Sequence, residues 1–147
     1  MTEHVALVTG GSRGIGAAVA EHLAAQGFDI AISYARSAAR AEELAAKIRQ
    51  MGRRALTIQA DGATLAGNRA VIAETVAHFG RLDVLVCNAG TYPHKSIDAV
   101  SIAAIEYTLN LHIRAVTVAT HDAVQPMQQG GRIILMGSAF AGRAPFP

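Results

Sequence analysis

The apolar positions of this chain fall into two kinds of segment. Short runs rich in Val and Ile predict buried strands, and they alternate with longer Ala- and Leu-rich segments in which apolar residues recur at helical spacing. The predicted strands cover residues 5–8, 29–34, 55–59, 84–87 and 132–136. The predicted helices cover residues 15–26, 38–51, 67–79 and 102–128.

The alternation of strands and helices predicts how the elements are arranged. Successive parallel strands need crossover connections, which are right-handed in nearly all proteins and place helices on both faces of the sheet. We therefore expect an α/β fold, a Rossmann-type doubly wound parallel sheet that the sequence carries as far as its fifth strand. Four glycines follow the predicted helices and suit the left-handed position after a helix end: Gly27, Gly52, Gly80 and Gly130.

Composition supports a single domain with a buried sheet. Hydrophobic residues make up 51% of the 147 residues and charged residues only 16%, as expected when strands are covered on both sides. The formal charge of +2 comes from scattered residues, so we expect no nucleic-acid partner. We therefore expect residues 1–147 to form one domain.

Cysteine and histidine usage bears on compartment and metal content. Cys87 is the single cysteine, and the sequence starts without a basic, apolar leader, so we expect a reduced, cytoplasmic protein. No apolar run is long enough for a membrane span. The six histidines include no pair four residues apart, so we expect no metal site.

A glycine cluster lies directly between the first predicted strand and the first predicted helix. Gly10 can form the tight turn, Gly14 allows the backbone to approach a ligand, and Gly16 allows the helix to pack on the strand. The following helix start offers free N–H groups and the positive end of its dipole. An anionic dinucleotide is the ligand that this arrangement favours.

Four ordered motifs carry a family resemblance. They resemble the signatures of the classical short-chain dehydrogenase/reductase family. In chain order, the motifs are residues 9–16, residues 88–90, Asn110 followed by Leu111, and residues 130–138. The resemblance runs from residue 5 to about residue 142, and residues 5–30 are most similar to the branch of 3-oxoacyl-[acyl-carrier-protein] reductases. It implies hydride transfer between a nicotinamide cofactor and a small-molecule carbonyl or alcohol.

The resemblance also implies roles for individual residues. Ser138 and Asn110 are the expected catalytic residues, with Ser138 orienting the substrate oxygen. Asp61 is expected to bind the adenine amino group, although Gly62 stands where relatives carry a branched apolar residue. The expected cofactor-binding residues are Gly10, Ser12, Arg13, Gly14, Ile15, Gly16, Arg36, Ser37, Asp61, Gly62, Asn88, Ala89 and Gly90.

The end of the second strand indicates which nicotinamide is bound. Members that prefer NAD(H) carry a carboxylate there, whereas residues 33–37 contain neither Asp nor Glu. Arg13 and Arg36 can converge on a 2′-phosphate, and Ser37 can add a hydroxyl. We therefore expect NADP(H) in preference to NAD(H).

The family's catalytic acid is a tyrosine roughly a dozen residues beyond the serine, followed one helical turn later by a lysine. The nine residues after Ser138 contain neither, and none of the tyrosines present fits that pattern. We interpret residues 1–147 as an incomplete NADP(H)-binding Rossmann domain that is part of a longer oxidoreductase and is inactive by itself. The resemblance implies a homodimer or homotetramer for the parent protein.

Other functions are compatible with a glycine-rich first loop. A non-catalytic NADP(H)-binding protein, such as a sensor, would use the same pocket without hydride chemistry. A methyltransferase would need a carboxylate after the second strand, near the place where Arg36 stands. His112 is expected on the helix surface or at an interface, and His94 and Lys95 in a solvated loop.

Overall fold

The structure is a computed structural model that describes residues 4–138. The strands are Val5–Val8 (β1), Asp29–Tyr34 (β2), Ala55–Gln59 (β3), Val84–Cys87 (β4) and Arg132–Leu135 (β5). The helices are Gly14–Ala25 (α1), Ala38–Gln50 (α2), Leu65–Phe79 (α3), Ile102–Leu109 (α4) and Ala115–Val124 (α5), with a π-helical segment Asn110–Arg114 between the last two. The resemblance beyond Ser138 lies outside the described residues.

The five strands form one parallel sheet in the order β3-β2-β1-β4-β5. The predicted doubly wound α/β fold is confirmed, and four strand ranges agree with the prediction to the residue. The order reverses between β1 and β4, because β2 and β3 lie on one side of β1 and the later strands lie on the other. Ligands of open α/β sheets bind at such a reversal, beyond the carboxyl ends of the strands.

Each face of the sheet has its own apolar core. On β1, Val5 and Leu7 belong to the cluster that contains residues of α3 and α5, whereas Ala6 and Val8 belong to the cluster that contains residues of α1 and α2. The alternation follows from the two-residue period of a strand. All four residues are fully buried, which fixes β1 in the middle of the molecule.

Two carboxylates hold the edge at which the parallel strands begin, here called the amino edge. Asp29, only 2% exposed, accepts hydrogen bonds from the backbone N–H of Arg54 at 2.8 Å and from its Nε at 2.7 Å. Asp83 accepts from the backbone N–H of Val5 at 2.8 Å and from Arg81 Nε and Nη2 at 2.8 and 2.6 Å. These bonds tie neighbouring strands together at their starts.

The predicted long helix over residues 102–128 is wrong in two respects. It is interrupted by the π-helical segment, in which the Ala115 N–H donates to the carbonyl of Asn110, five residues back. It also ends at Val124: Gln125 keeps right-handed helical backbone, but Pro126 lacks the N–H that would extend the hydrogen bonds of the helix. Asn110 therefore lies at the interruption and not late in one continuous helix.

Other helix ends differ by smaller amounts. Helix α3 begins at Leu65 and not at residue 67, because the Thr64 hydroxyl caps it by accepting the Gly67 N–H at 3.0 Å. The four predicted glycines all have positive φ, between 78° and 96°. Gly130, however, lies in the turn before β5, several residues beyond the end of α5.

Candidate cofactor site

A cleft of about 580 Å³ lies at the edge where the strands end, here called the carboxyl edge. The loops after β1, β2, β3 and β4 form its floor and walls. The structure brings all the predicted cofactor-binding residues into the wall of this one cleft: Gly10, Ser12, Arg13, Gly14, Ile15, Gly16, Arg36, Ser37, Asp61, Gly62, Asn88, Ala89 and Gly90. Their roles toward a ligand remain predictions.

Two glycines of the loop, Gly10 and Gly16, have no space for a side chain. Gly10 has φ +63°, and a methyl group built on it would lie 2.8 Å from the Cα of Ala89. A methyl group on Gly16 would lie 2.8 Å from the Gly10 carbonyl oxygen and would collide with the amide nitrogen of Asn88. The loop is thus packed against the Asn88 segment, and its N–H groups lie at the start of α1. These features fit a bound pyrophosphate.

Thr9 and Asn88 connect the loops after β1 and β4. The Asn88 side-chain amide donates to the carbonyls of Thr9 at 3.0 Å and Gly10 at 3.2 Å. In return, the Thr9 hydroxyl accepts the backbone N–H groups of Asn88 at 3.0 Å and Ala89 at 3.1 Å. Asn88 therefore binds the backbone of the glycine loop through its side chain. Thr9 also lines the cleft and was missed as a site residue, although it begins the motif.

Arg13 and Arg36 supply the positive charge of the cleft. Both are exposed, and neither guanidinium makes a salt bridge or hydrogen bond to another residue within the range 4–138. Ser37 lines the same part of the wall. Unpaired guanidinium groups beside a glycine loop fit an additional phosphate.

Asp61 and Tyr107 meet across the far end of the cleft. The Tyr107 hydroxyl donates to Asp61 Oδ1 at 3.2 Å, and the same oxygen accepts the Ala63 N–H at 2.9 Å. Burial, together with the Asp61 charge and hydrogen bond, raises the pKa of Tyr107 despite the opposing charge of Arg36. Sequence reasoning considered Tyr107 only as a catalytic acid, because spacing along the chain does not reveal this contact between α4 and the loop after β3.

His112 contacts the loop that follows β4, so the prediction that it belongs to the general helix surface was incomplete. Its Nε2 lies 3.0 Å from the backbone nitrogen and 2.8 Å from the carbonyl oxygen of Thr91. A methyl group on Gly90 would lie 2.9 Å from the imidazole Cε1. Gly90 therefore permits the ring of His112 to approach the loop closely.

The two predicted catalytic residues, Asn110 and Ser138, are not part of the cleft wall in the described structure. Asn110 is half-buried and begins the π-helical segment. Ser138 is exposed and follows β5, whose pairing with β4 continues through the Met136 N–H and the Cys87 carbonyl at 3.1 Å. The structure thus brings the cofactor residues together in one cleft wall, to which Asn110 and Ser138 do not belong.

Cys87 lies at the cleft floor and is 7% exposed. Burial raises the pKa of its thiol to about 11, so the thiol is protonated at neutral pH. Within residues 4–138 we find no group of three His, Cys, Asp or Glu side chains that could hold a metal ion. In the same range, no helix has the length and apolar character needed to cross a membrane.

Comparison with known proteins identifies the family. The sequence model of the short chain dehydrogenase family matches residues 4–147. The chain belongs to the short-chain dehydrogenase family. The family prediction is confirmed.

Individual relatives of this short-chain dehydrogenase chain include curated fungal reductases. It is 43% identical over 138 residues to hydroxynaphthalene reductase arp2 of Aspergillus fumigatus, and the alignment covers 94% of this chain and 50% of that protein. It is 37% identical over 134 residues to versicolorin reductase 1 of Aspergillus parasiticus, covering 91% and 51%. The chain therefore spans about half the length of the curated relatives it matches.

Solved structures give the same picture. A short chain dehydrogenase from Burkholderia cenocepacia in complex with NADP superposes with a TM-score of 0.95 at 48% identity, covering 97% of this chain and 58% of that one. A blue fluorescent protein from a metagenomic library in complex with NADPH gives 0.91 at 43% identity, covering 96% and 59%. The present chain thus shares its fold with proteins whose solved structures contain NADP or NADPH.

Proposed function

We propose that the protein carrying this chain is an NADP(H)-dependent oxidoreductase that interconverts a small-molecule carbonyl and its alcohol. The observation that carries the proposal is that one cleft combines a glycine loop, in which Gly10 and Gly16 have no room for a side chain, with two unpaired guanidinium groups. A dinucleotide with an extra phosphate satisfies both features. The complexes of its structural relatives with NADP and NADPH support the same cofactor.

Each part of the cleft has a proposed task. Backbone N–H groups of the glycine loop bind the pyrophosphate, and Arg13, Arg36 and Ser37 bind the 2′-phosphate. Asp61 accepts a hydrogen bond from the adenine amino group. When bound, NADPH supplies the hydride that reduces the carbonyl carbon.

The substrate end is assigned to residues nearer β5. Ser138 orients the carbonyl oxygen by donating a hydrogen bond, and Asn110, the first residue of the π-helical segment, is proposed as the second catalytic residue. The expected tyrosine and lysine belong to the remainder of the parent protein. The chain of residues 1–147 by itself is proposed to bind the nucleotide without turning over a substrate.

Two substrate classes are proposed for the parent protein. The resemblance of residues 5–30 supports a 3-oxoacyl thioester. The relatives named hydroxynaphthalene reductase and versicolorin reductase support a cyclic aromatic ketone as the second candidate. The exposed apolar side chains Ile102 and Ile113 support a homodimer or homotetramer, and we propose that the parent protein is cytoplasmic.

The test begins with the intact mass of the natural protein compared with 15.3 kDa for residues 1–147. NADPH and NADH binding is then measured by fluorescence titration, and NADPH consumption is followed with a thioester and a hydroxynaphthalene-type ketone. We expect NADPH to bind at least about tenfold more tightly than NADH. Binding without turnover by the full-length protein would support the non-catalytic alternative, and absence of NADPH binding would overturn the proposal.

A further inference from the structure

Tyr107 connects two elements at the end of the cleft that is proposed to take adenine. Its hydroxyl donates to Asp61 Oδ1 at 3.2 Å, so α4 is joined to the loop after β3. The same oxygen accepts the Ala63 N–H, while Oδ2 accepts no hydrogen bond from any residue between 4 and 138. One carboxylate oxygen is therefore held by the protein and the other is available to a ligand.

Gly62 contributes no side chain to the wall beside Asp61. A methyl group built on it would lie 3.1 Å from Leu111 Cδ1, so the space near this position is occupied from the helix side. Tyr107 and Leu111 are four residues apart on consecutive helical turns and both line the cleft. The apolar surface at this end therefore comes from α4 and the π-helical segment.

We propose that Tyr107 is a specificity-determining residue for the adenine base, which its ring covers while its hydroxyl orients the Asp61 carboxylate toward the adenine amino group. This inference rests on the proposed NADP(H) function. The ring replaces the apolar surface that Gly62 lacks, because aromatic rings stack on bases with useful affinity. The hydrogen bond to Oδ1 fixes the carboxylate so that Oδ2 faces the base.

The protonation state of Tyr107 agrees with this assignment. Its pKa is raised by burial and by Asp61, so the phenol remains a hydrogen-bond donor throughout the neutral range. A catalytic tyrosine needs the opposite shift in pKa. Arg36 influences the same hydroxyl, which places Tyr107 at the end of the cleft proposed for the 2′-phosphate and adenine.

The experiment measures dissociation constants for NADP⁺ and for its deamino form, in which a carbonyl oxygen replaces the adenine amino group. Calorimetry is performed on the natural full-length protein and on Tyr107→Ala, Tyr107→Phe and Leu109→Ala. Leu109 is the matched control, because it is a large side chain on the same helix, 51% exposed and outside the cleft wall. Calorimetry reports binding without depending on turnover.

We expect Tyr107→Ala to weaken binding of both nucleotides about tenfold, since the stacking surface is lost. Tyr107→Phe keeps the ring, so it should bind the deamino form as tightly as the unmodified protein does. Its preference for NADP⁺ over the deamino form should fall about threefold. Leu109→Ala should change neither constant.

Equal affinities for Tyr107→Ala and the unmodified protein would overturn the inference, and so would an unchanged base preference in Tyr107→Phe. If the unmodified protein binds neither nucleotide, the proposed function itself fails, which separates the two results. Tyr107→Phe retains a ring of the same size, so a change in its base preference reflects the lost hydroxyl.

Discussion

The two edges of the sheet use arginine in opposite ways. At the amino edge, Arg54 and Arg81 are bound by Asp29 and Asp83, with nitrogen to oxygen distances of 2.6 to 2.8 Å. At the carboxyl edge, Arg13 and Arg36 have no carboxylate partner among residues 4–138. The same residue type thus stabilises the fold at one edge and leaves its charge available for a ligand at the other.

The backbone shows the same contrast. At the amino edge, side-chain carboxylates accept backbone N–H groups and so complete the protein's own hydrogen bonding. At the carboxyl edge, Gly10 and Gly14 have positive φ and start a helix whose Ncap residue, Arg13, makes no side-chain capping bond. The N–H groups of that helix start therefore need an acceptor from solvent or ligand. Changes at the amino edge should affect stability, and changes at the carboxyl edge should affect binding.

The largest effect is expected at the amino edge, for Asp29→Ala. The substitution removes two charge-assisted hydrogen bonds to a carboxylate that is almost fully buried, so the free energy of unfolding should fall by about 3 kcal/mol. Urea denaturation measures this. Glu42→Ala removes an exposed ion pair with Arg49 and should cost about 0.5 kcal/mol. A similar cost for both variants would contradict the structural role assigned to Asp29.

The next effect is expected at the carboxyl edge, for Gly16→Ala. The added methyl group meets the Gly10 carbonyl and the Asn88 amide, so the loop must move away from the position in which it binds the pyrophosphate. We expect the NADPH dissociation constant to rise about 100-fold. Fluorescence titration measures it, with Ala18→Ser on the exposed side of α1 as the control. Unchanged binding would show that this contact is unimportant for the cofactor.

A smaller effect is expected for Arg36→Ala, which removes one of the unpaired charges. NADPH affinity should fall about tenfold while NADH affinity stays the same, because only NADPH carries the 2′-phosphate. Arg53→Ala provides the control at the opposite edge, where the guanidinium is bonded to the carbonyls of Gly27 and Gly52. An equal loss for both nucleotides would refute a role specific to the 2′-phosphate.

The smallest effect is expected from acid. Burial opposes ionisation of Asp83, but the hydrogen bonds from Arg81, Val5 and His4 outweigh it and lower its pKa below 3.8. Because the folded-state pKa is depressed, this stabilisation is present above about pH 4 and is lost as pH falls through the folded-state value. Urea denaturation from about pH 6 down to about pH 3 should show a decline in stability that is less steep in Asp83→Asn. Identical slopes would contradict the assignment.

The sequence predicted the strands and the glycine loop well because the relevant interactions are local. Four strands are short apolar runs bounded by turn residues, and β5 differs only in ending at Leu135. The interruption at Asn110 was not predicted, because a single hydrogen bond from five residues ahead leaves the apolar spacing almost unchanged. The helix end before Pro126 was missed although the proline was visible.

The sequence predicted which residues belong to the candidate site better than it predicted which of them contact each other. Motifs place their members in chain order, and the fold then brings them to one edge, as for the predicted cofactor residues. Contacts between elements far apart in sequence had no such signal. Tyr107 reaches Asp61 across 46 residues, and His112 reaches Thr91 across 21.

The π-helical segment has a further consequence for how this chain can change. Helix α4, before it, has no buried residue, whereas α5, after it, buries Ala115, Ala119 and Ala123. A π-helical turn already holds one residue more than an α-helical turn, as the bond from Ala115 to Asn110 shows. One further inserted residue would rotate every later side chain of the helix by about 100°, moving the buried alanines out of the core. Point substitutions between residues 110 and 114 change one contact at a time, whereas an insertion there changes the phase of all of α5. Functional descendants of the chain should therefore tolerate substitutions in this segment more readily than insertions.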